Sequence, residues 1–291
     1  MNRFRPDDWL ASASLKLLMP GMSAAEARLE ARVLLAAAFG VNHAWLLAHG
    51  QELHPCDERW QQAQDWLVRR VQGEPVAYLL GWREFYGLRL AVSPAVLIPR
   101  PDTEVLVEAA LERLDLHQDA AVLDLGTGSG AIALAIAAHR PRAQVLGVDA
   151  SAAALALARH NASQLGLDQV VWQCGSWWQA AGGRRFDLVV SNPPYIAEDD
   201  PHLAQGDLRF EPIRALTAGV DGLQDLAEII AGAPAHLSPA GWLLVEHGYR
   251  QAASVRELMT GAGLVEIHSR PDLAGNERVT CGRCPTGKSA D

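Results

Sequence analysis

The sequence predicts an α/β fold in which a doubly wound parallel sheet follows a small helical domain. After residue 120, apolar runs typical of buried strands alternate with helical runs rich in Ala and Leu, the pattern of a parallel sheet with helices on both faces. The first ~75 residues show helical periodicity alone. With 291 residues, the chain is also longer than one compact domain usually needs.

The N-terminal region carries clear signals for helix ends. Ser23 and Glu26 form a capping-box pattern at the start of an Ala/Leu-rich run that stops at Gly40. A second helix is predicted from Asp57 to just before Gly73. The positions that share a face are Leu29, Val33, Leu34 and Ala37 in the first helix, and Trp60, Gln64, Leu67 and Val71 in the second. This region has no titratable cluster, so we interpret it as a substrate-recognition domain, a partner-binding or lid element and not a catalytic one.

Residues 79–101 are predicted to link this domain to the sheet. The alternation in 84–92 indicates a short hairpin, and a helix is expected to begin near Asp102 or Thr103 as the cap. We therefore expect a helical domain at 1–78 and a main domain at 102–291. The predicted strands of the main domain are Ala121–Leu125, Gln144–Val148, Val170–Gln173, Phe186–Ser191, Trp242–Glu246, Val265–Arg270 and Arg278–Cys281.

Composition argues against several classes of protein. No apolar run approaches the ~18 residues that a membrane span needs, and the N-terminus lacks a signal-peptide core, so a cytoplasmic protein without membrane contact is expected. The net charge of −9 argues against stable nucleic-acid binding. Cys281 and Cys284 form a single CxxC motif, fewer ligands than a structural zinc site requires. We expect no metal and reduced thiols.

A glycine-rich loop indicates an adenosine-type cofactor. The loop, Gly126, Thr127, Gly128, Ser129 and Gly130, follows a predicted strand that contains Asp124 and opens a helix. Asp149 ends the next strand, where a carboxylate can accept hydrogen bonds from ribose hydroxyls; its alternative role is a helix cap. A buried Asp124 needs donors, which the loop amides and a ligand ammonium would supply. These features alone do not distinguish NAD from S-adenosylmethionine.

The sequence Asn192-Pro193-Pro194-Tyr195 at the end of a strand indicates the reaction. The Asn192 side-chain oxygen and the Pro193 carbonyl can accept both N–H bonds of a planar amide or amino group and turn its lone pair toward a methyl sulfonium. Tyr195 can stack on the flat group. The alternative is a plain turn. Trp177 and Trp178 follow the third strand, and the sequence leaves open whether they sandwich an adenine or pack in the core.

Together these motifs resemble the bacterial peptide chain release factor N5-glutamine methyltransferases over nearly the whole chain. Besides the glycine loop and Asn192–Tyr195, the resemblance rests on Gly73-Glu-Pro-Val-Ala-Tyr-Leu, Glu84-Phe-Tyr-Gly-Leu, Val96-Leu-Ile-Pro-Arg-Pro-Asp-Thr-Glu104, Arg209-Phe-Glu-Pro212, Glu246-His-Gly248 and Asn276-Glu-Arg-Val-Thr280. The family has an N-terminal helical domain, a β-hairpin linker and a class I methyltransferase domain with a Rossmann-like sheet.

The resemblance implies a substrate, a cofactor and a set of site residues. The substrate is the glutamine of the Gly-Gly-Gln motif in class 1 release factors, and the methyl donor is S-adenosylmethionine. Asn192, Pro193 and Tyr195 are implied as catalytic, and Pro194 joins them in binding the glutamine amide. Phe85 and Arg100 are implied to line the cleft. Cofactor binding is implied for Gly126, Thr127, Gly128, Ser129, Gly130, Asp149, Trp177 and Asn192.

One residue departs from the family pattern, and four alternatives remain. Ser176 stands where relatives commonly carry an acidic residue, which weakens the expected adenine contact. The alternatives are a glutamine methyltransferase of a large-subunit ribosomal protein, an adenine-N6 DNA methyltransferase acting on a flipped base, an NAD-dependent oxidoreductase, and a non-catalytic binding module. The acidic balance disfavours DNA, and no hydride-transfer constellation is present.

Overall fold

The computed structural model describes residues 2–18 and 21–286. They form two compact units, Met1–Gly81 with Ala204–Phe210, and Trp82–Leu203 with Glu211–Asp291. Residue 1, residues 19–20 and residues 287–291, which include the outer ends of the expected domains, lie outside the described residues. In the described residues no single helix could cross a membrane; Ala24–Phe39 and His43–His49 meet the length and composition criteria only jointly, across a 91° bend.

The first unit is helical, and its helix ends follow the sequence signals. Ser23 Oγ accepts from the Glu26 amide at 3.2 Å, while Glu26 Oε2 accepts from the Ser23 amide at 2.7 Å, so the predicted capping box is confirmed. Asp57 caps the later helix as predicted. The elements are β1 (Arg3–Phe4), α1 (Pro6–Lys16), α2 (Ala24–Phe39), α3 (His43–His49), β2 (His54–Pro55), α4 (Glu58–Val71) and α5 (Val76–Leu80).

The buried faces of these helices match the predicted ones only in part: Leu34 and Leu67 are buried as predicted. Leu29 and Val71 were assigned to shared apolar faces, yet they are 53% and 44% exposed. The buried face of α2 instead includes Ala27 and Ala31 beside Leu34. Small side chains let α1 and α4 pack closely on α2, so Ala27 and Ala31 belong to the interior face whereas the larger Leu29 does not.

A buried arginine ties the short segment Ala204–Phe210 to the first unit. Arg70 is 4% exposed, and its guanidinium binds Glu30 at 2.7 Å and Asp207 at 3.2 Å. It also donates to the Gly73 carbonyl at 3.1 Å. A buried charge needs such partners, and here they come from the helices and from the segment. No sequence pattern indicated that this segment groups with the helical unit.

The second unit begins with the predicted hairpin and continues as an α/β sheet. All seven predicted sheet strands are confirmed, with ends shifted by a few residues in most cases. The elements are β3 (Trp82–Phe85), β4 (Leu88–Ala91), α6 (Glu104–Leu111), β5 (Ala120–Leu125), α7 (Ala131–His139), β6 (Ala143–Asp149), α8 (Ala152–Leu165), β7 (Val171–Cys174), α9 (Trp177–Ala181), β8 (Phe186–Ser191), α10 (Gln224–His236), β9 (Leu237–Glu246), α11 (Ala252–Gly261), β10 (Val265–Pro271) and β11 (Glu277–Arg283).

The sheet has seven strands in the order β10-β11-β9-β8-β5-β6-β7. Strands β5 to β9 pair in parallel, and β11 pairs antiparallel with β9 and β10. The chain runs from β5 outward through β6 and β7, then returns to the other side of β5 with β8. Such a reversal is the switch point at which open α/β sheets bind ligands.

Side chains of the sheet alternate between two cores. Val122, Val145 and Leu188 pack with α6 and α7, whereas Leu123 and Val189 face α10 and α11. Because strand side chains alternate, Asp124 shares the face of Val122 and lies below the start of α7. Register pairs Leu125 with Ser191, so the chain segments that follow β5 and β8 leave the sheet side by side.

Candidate active site

A cavity of ≈ 610 Å³ opens where β5, β6 and β8 end. This volume is in the range of small-molecule sites. Every lining residue belongs to the second unit. The lining residues include Arg100, Thr103, Gly126, Thr127, Gly128, Ser129, Asp149, Ser176, Trp177, Asn192, Pro194, Ile213, Arg214 and Asp225.

The glycine loop presents its backbone to this cavity. The amides of Gly126 and Thr127 both donate to the Val148 carbonyl at 2.9 Å, which fixes the loop against β6. Gly128 has φ +55°, and a side chain there would meet nothing within 4 Å. The space beside Gly128 is therefore open to a ligand, and the left-handed backbone explains the need for glycine.

Asp149 closes one side of the loop. Its Oδ2 accepts from the Gly128 amide and its Oδ1 from the Ser151 amide, both at 2.8 Å. The side chain that caps α8 is Ser151, which accepts from the Ala154 amide. Asp149 is thus not the helix cap, and it lines the cavity. Burial raises the pKa of its carboxyl, while the two amide hydrogen bonds oppose that rise.

Asp124 lies under the loop and does not line the cavity. Its Oδ2 accepts from the Thr127 hydroxyl at 2.5 Å and from the Ala133 amide at 3.2 Å. The donors are therefore a side-chain hydroxyl and a helix amide, not the loop amides that the sequence suggested. Burial raises the pKa of this carboxyl to about 7. Within the described residues its Oδ1 is buried and has no hydrogen-bond partner.

The two adjacent tryptophans have different surroundings. Trp177 lines the cavity, and its ring lies 3.2 Å from where a Gly126 side chain would begin. Trp178 stacks on His236 at 4.6 Å and donates to the Ile229 carbonyl, so it packs against α10. The cavity interpretation therefore applies to Trp177 and the packing interpretation to Trp178.

A carboxylate stands near Trp177 that the sequence analysis did not identify. Asp225, in the first turn of α10, lines the cavity and hydrogen-bonds Trp177. Burial raises the pKa of Asp225, and the Trp177 hydrogen bond lowers it. Ser176 also lines the cavity, and it makes no side-chain cap to α9. An acidic group is thus present at this end of the cavity although position 176 is a serine.

The four residues of the Asn-Pro-Pro-Tyr sequence are not all in the same environment. Asn192 and Pro194 line the cavity, whereas Pro193 is buried and Tyr195 is half-buried outside the lining. Ser191 Oγ donates to the Leu125 carbonyl at 2.7 Å and anchors the corner beside the glycine loop. In the part of the chain that is described, no donor bonds the Pro193 carbonyl.

The Asn192 amide is held by Thr103. Asn192 Nδ2 donates to Thr103 Oγ1 at 3.1 Å. Nothing in the described residues donates to Asn192 Oδ1, which leaves this oxygen as an acceptor at the cavity. Thr103 precedes α6, but its side chain makes no capping hydrogen bond, nor does Asp102 cap the helix. Thr103 therefore occupies the N-cap position of α6 as predicted, but its hydroxyl accepts from Asn192 and does not cap the helix.

Behind this pair lies Glu246, at the end of β9. Tyr195 Oη donates to Glu246 Oε1 at 3.3 Å. Glu246 is 1% exposed, and burial raises the pKa of its carboxyl to about 7, against the hydrogen bond from Tyr195. Within the described residues its Oε2 is buried and has no hydrogen-bond partner. Burial and the nearby Glu246 charge raise the pKa of Tyr195, so its phenol stays protonated and acts as the donor.

Of the two residues implied for the cleft by resemblance alone, one lines it. Arg100 lines the cavity and donates to Glu211 Oε2 at 2.6 Å; the Glu211 side chain is fully buried. Phe85 is 1% exposed within the α6–α7 core and is absent from the cavity lining. The interpretation of Phe85 as a cleft residue is wrong, because the hairpin turns its ring into that core.

Glu211, Thr103 and Glu246 were not given site roles from the sequence. Each lies in a motif that carried the resemblance, yet nothing in the local pattern shows which side chains meet across strands. Ile213 and Arg214, which also line the cavity, follow one of these motifs directly. The motifs therefore pointed to these segments, but only the tertiary contacts show the role of each side chain.

The residues present fit an adenosine-containing cofactor. The open backbone at Gly128, the half-buried carboxylate of Asp149 and the flat ring of Trp177 line one cavity. These supply main-chain contact, a hydroxyl acceptor and a stacking surface, the features expected for such a ligand. The described residues contain no cluster of three or more His, Cys, Asp or Glu side chains that could hold a metal ion.

Sequence comparisons find families and known proteins that are similar to this chain. Residues 102–207 match the family described as "Methyltransferase small domain", and residues 8–81 match "PrmC N-terminal domain". The release factor glutamine methyltransferase of Xylella fastidiosa (strain Temecula1) is 55% identical, covering 89% of this chain and 94% of that protein. The protein of the same name from Escherichia coli (strain K12) is 45% identical over 94% of this chain and 97% of its own.

A solved structure supports the fold alone. The crystal structure of a methyltransferase from Pyrococcus furiosus superimposes with a TM-score of 0.51 at 16% sequence identity, covering 76% of this chain and 99% of that one. At this identity the likeness extends to the sheet and its helices and carries no information about substrate.

Proposed function

Since the chain belongs to the release factor glutamine methyltransferase family, we propose that it methylates the side-chain amide nitrogen of a glutamine in a peptide chain release factor. The target is the glutamine of the Gly-Gly-Gln motif, and the methyl donor is S-adenosylmethionine. The observation that carries this proposal is the placement of Asn192. Its side chain lines the same cavity as the glycine loop and Asp149, with Oδ1 left as the acceptor.

An amide nitrogen is a poor nucleophile because its lone pair is delocalised into the carbonyl. Asn192 Oδ1 and the Pro193 carbonyl accept hydrogen bonds from the two N–H groups of the substrate amide and thereby fix the orientation of the nitrogen. The same two acceptors stabilise the positive charge that grows on nitrogen during transfer. Bound S-adenosylmethionine supplies an electrophilic methyl group. The proton leaves the nitrogen after transfer, so no general base is required beforehand.

Pro194 and Tyr195 complete the amide site in different ways. Pro194 lines the cavity and gives the substrate an apolar wall. Tyr195 lies behind the lining, where its hydroxyl donates to Glu246 and its carbonyl accepts from Gln251 Nε2 at 3.1 Å. These bonds hold the corner in place.

We assign the cofactor to Gly126–Gly130, Asp149 and Trp177; Asn192, for which the resemblance also implied cofactor contact, is assigned to the substrate amide. Asp149→Ala is expected to weaken S-adenosylhomocysteine binding by about 1.5–3 kcal/mol, the scale of hydrogen bonds to a charged group, or roughly 10- to 150-fold in Kd. Isothermal titration calorimetry measures this loss directly.

A matched control comes from the opposite end of the sheet. Asp187 Oδ2 also accepts from a backbone amide, that of Ala121 at 2.9 Å, at the start of β5. Asp187→Ala should leave the Kd unchanged. An Asp149→Ala protein that folds and binds with the wild-type Kd would limit Asp149 to holding Gly128 and Ser151.

The helical unit is proposed to bind the release factor. None of its described residues lines the cavity, and the segment Ala204–Phe210, which groups with it, is followed in the chain by Glu211, Pro212 and the lining residue Ile213. Hydrogen exchange followed by mass spectrometry, with and without release factor, tests this role. Protection within residues 2–81 supports it, and protection confined to the second unit contradicts it.

The remaining expectations about partners follow from charge and from the substrate. With a net charge of −9, we expect no stable binding of nucleic acid. A release factor works in translation, so the enzyme is assigned to the cytoplasm and to no membrane.

The deciding assay is transfer of a labelled methyl group from S-adenosylmethionine to purified release factor. Parallel samples contain a release factor whose Gly-Gly-Gln glutamine is replaced by alanine, large-subunit ribosomal protein, and duplex DNA. Label on the intact release factor alone supports the proposal. Label on ribosomal protein or DNA would show that the enzyme carries out the same methyl transfer on another substrate. The absence of label on all of them would contradict the proposed function.

A further inference from the structure

The corner formed by the Asn-Pro-Pro-Tyr sequence is stiff in the middle and depends on what holds its two ends. The rings of Pro193 and Pro194 fix φ at both positions, and a residue that precedes proline is restricted as well. The entry is anchored by Ser191 Oγ on the Leu125 carbonyl. Tyr195, at the exit, is the first residue after the prolines whose backbone is free to rotate. Its direction must therefore be set by contacts from other segments.

The side chain of Gln251 holds this exit. Its Nε2 donates to the Tyr195 carbonyl at 3.1 Å and to the Gly222 carbonyl at 3.3 Å. Its Oε1 accepts from the Gly248 amide at 2.8 Å. Only this orientation of the side-chain amide satisfies one N–H donor and two carbonyl acceptors together. One half-buried side chain thus joins the segments that follow β8, precede α10 and follow β9.

Gly222 lets the segment before α10 approach the same peptide group. A side-chain carbon at this position would lie 2.3 Å from the Tyr195 carbonyl oxygen and 3.0 Å from Gln251 Nε2. Gly222 also has φ +71°, in the left-handed region that favours glycine. The backbone of this segment therefore lies directly against the exit of the corner. Three residues further along the chain, Asp225 lines the cavity.

Gln251 stands at a position where other residue types favour a helix more. It is the N-cap of α11, yet its side chain makes no capping hydrogen bond. Ser, Thr, Asp and Asn stabilise helix starts from this position. The start of α11 therefore lacks a contact that a shorter side chain could supply, whereas the longer side chain of Gln251 reaches Tyr195.

We propose that Gln251 is a positioning residue that, together with Gly222, fixes the exit of the corner and thereby the direction of the Pro193 carbonyl. This inference rests on the proposed function for its catalytic consequence, whereas the hydrogen bond to Tyr195 is a property of the protein alone. The same contacts join the corner to the segment that carries Asp225, so the amide site keeps its place relative to the rest of the cavity.

The hydrogen bond can be measured without any reaction. Tyr195–Ile196 is the only Tyr-Ile sequence in the chain, so protein labelled with ¹³C at Tyr carbonyls and ¹⁵N at Ile gives one HNCO signal, from this peptide group. In Gln251→Leu the carbonyl signal should move upfield, because the carbonyl loses a hydrogen bond. It should keep its wild-type position in Gln164→Leu, the same exchange at an exposed position of α8. An unshifted signal in Gln251→Leu would overturn the proposal.

Kinetics on the intact enzyme test the consequence. Gln251→Leu should lower kcat roughly 10- to 100-fold, because a misplaced acceptor no longer orients the amide, and should leave the Kd for S-adenosylhomocysteine unchanged. Gln251→Glu keeps the acceptor for the Gly248 amide but presents a second oxygen to the two carbonyls, so kcat should fall likewise. Lower pH protonates this carboxyl and restores a donor. The kcat of Gln251→Glu relative to wild type should then recover.

Two further variants separate positioning from stability. Gln251→Ser supplies a capping hydroxyl to α11, so its urea midpoint should lie closer to wild type than that of Gln251→Leu, while kcat falls to the same extent. Gly222→Ala pushes on the Tyr195 carbonyl and should also lower kcat. Gly166→Ala is the matched control, because Gly166 has φ +67° and an added carbon there meets nothing within 4 Å. It carries the same backbone strain and should retain the rate.

The outcomes distinguish this proposal from the proposed function. A wild-type kcat in Gln251→Leu, or losses of kcat that simply follow the urea midpoint across the variants, would overturn the positioning role. A wild-type enzyme that methylates no release factor would contradict the proposed function instead. The Tyr195 carbonyl signal would still decide whether Gln251 holds the corner.

Discussion

Asn192→Ala is expected to reduce methyl transfer to the release factor by about 10²- to 10³-fold while leaving cofactor affinity unchanged. The variant removes one of the two acceptors that orient the amide nitrogen. Removal of one preorganised hydrogen-bonding group that stabilises the charge developing in the transition state typically lowers the rate by this factor. The Asn192 side chain reaches the cavity from β8, whereas the contacts that shape the cofactor loop come from Val148 and Asp149 on β6.

Single-turnover rates at saturating cofactor, with mass spectrometry of the methylated peptide, measure this effect. Calorimetry with S-adenosylhomocysteine provides the control for cofactor binding. Asn42→Ala is a matched asparagine variant, because Asn42 caps α3 in the helical unit; it should lose about 1 kcal/mol of stability without a loss of kcat. Abolished cofactor binding in a folded Asn192→Ala protein would refute the assignment of Asn192 to the amide.

Local signals allowed the part of the candidate site around the glycine loop to be predicted from the sequence. A strand, a glycine loop and a helix start occur consecutively, and the left-handed backbone at Gly128 can be anticipated from the residue type. Asp149 follows at the next strand end. The fold of a parallel sheet brings such ends together whatever the details of packing, so the shared cavity of the loop and Asn192 was a consequence of topology.

The other half of the site depends on contacts that no local pattern contains. Thr103 looks like a helix cap in sequence, and only the structure shows its hydroxyl on Asn192. Glu246 ends an apolar strand, and its hydrogen-bond donor, Tyr195, lies 51 residues away in the chain. The prediction of the buried helix faces was partly wrong for a related reason. Neighbouring helices decide that Ala27 is buried and Leu29 is exposed.

Replacement of Asp124 by asparagine is expected to make the cofactor-free protein progressively more stable, relative to wild type, as pH rises. The pKa of Asp124 is about 7 in the folded protein, raised by burial from 3.8. Between these values the folded state holds a proton that the unfolded state has lost, so wild-type stability falls with rising pH. From pH 5 to pH 8 this carboxyl should remove roughly 3 kcal/mol, which an amide that cannot ionise does not lose.

Urea unfolding of wild type and Asp124→Asn at several pH values measures the difference in the free energy of unfolding. Other titrating groups, such as His247 with its lowered pKa, contribute to both proteins and cancel in the difference. The amide places a donor where Asp124 Oδ1 has no partner among the described residues, and that cost shifts the difference by a constant without changing its slope. Parallel stability curves would show that Asp124 does not change its charge in the folded protein over this range. A slope of the expected sign would establish that the glycine loop rests on a carboxyl that is neutral at the lower pH and ionises within the core at the higher.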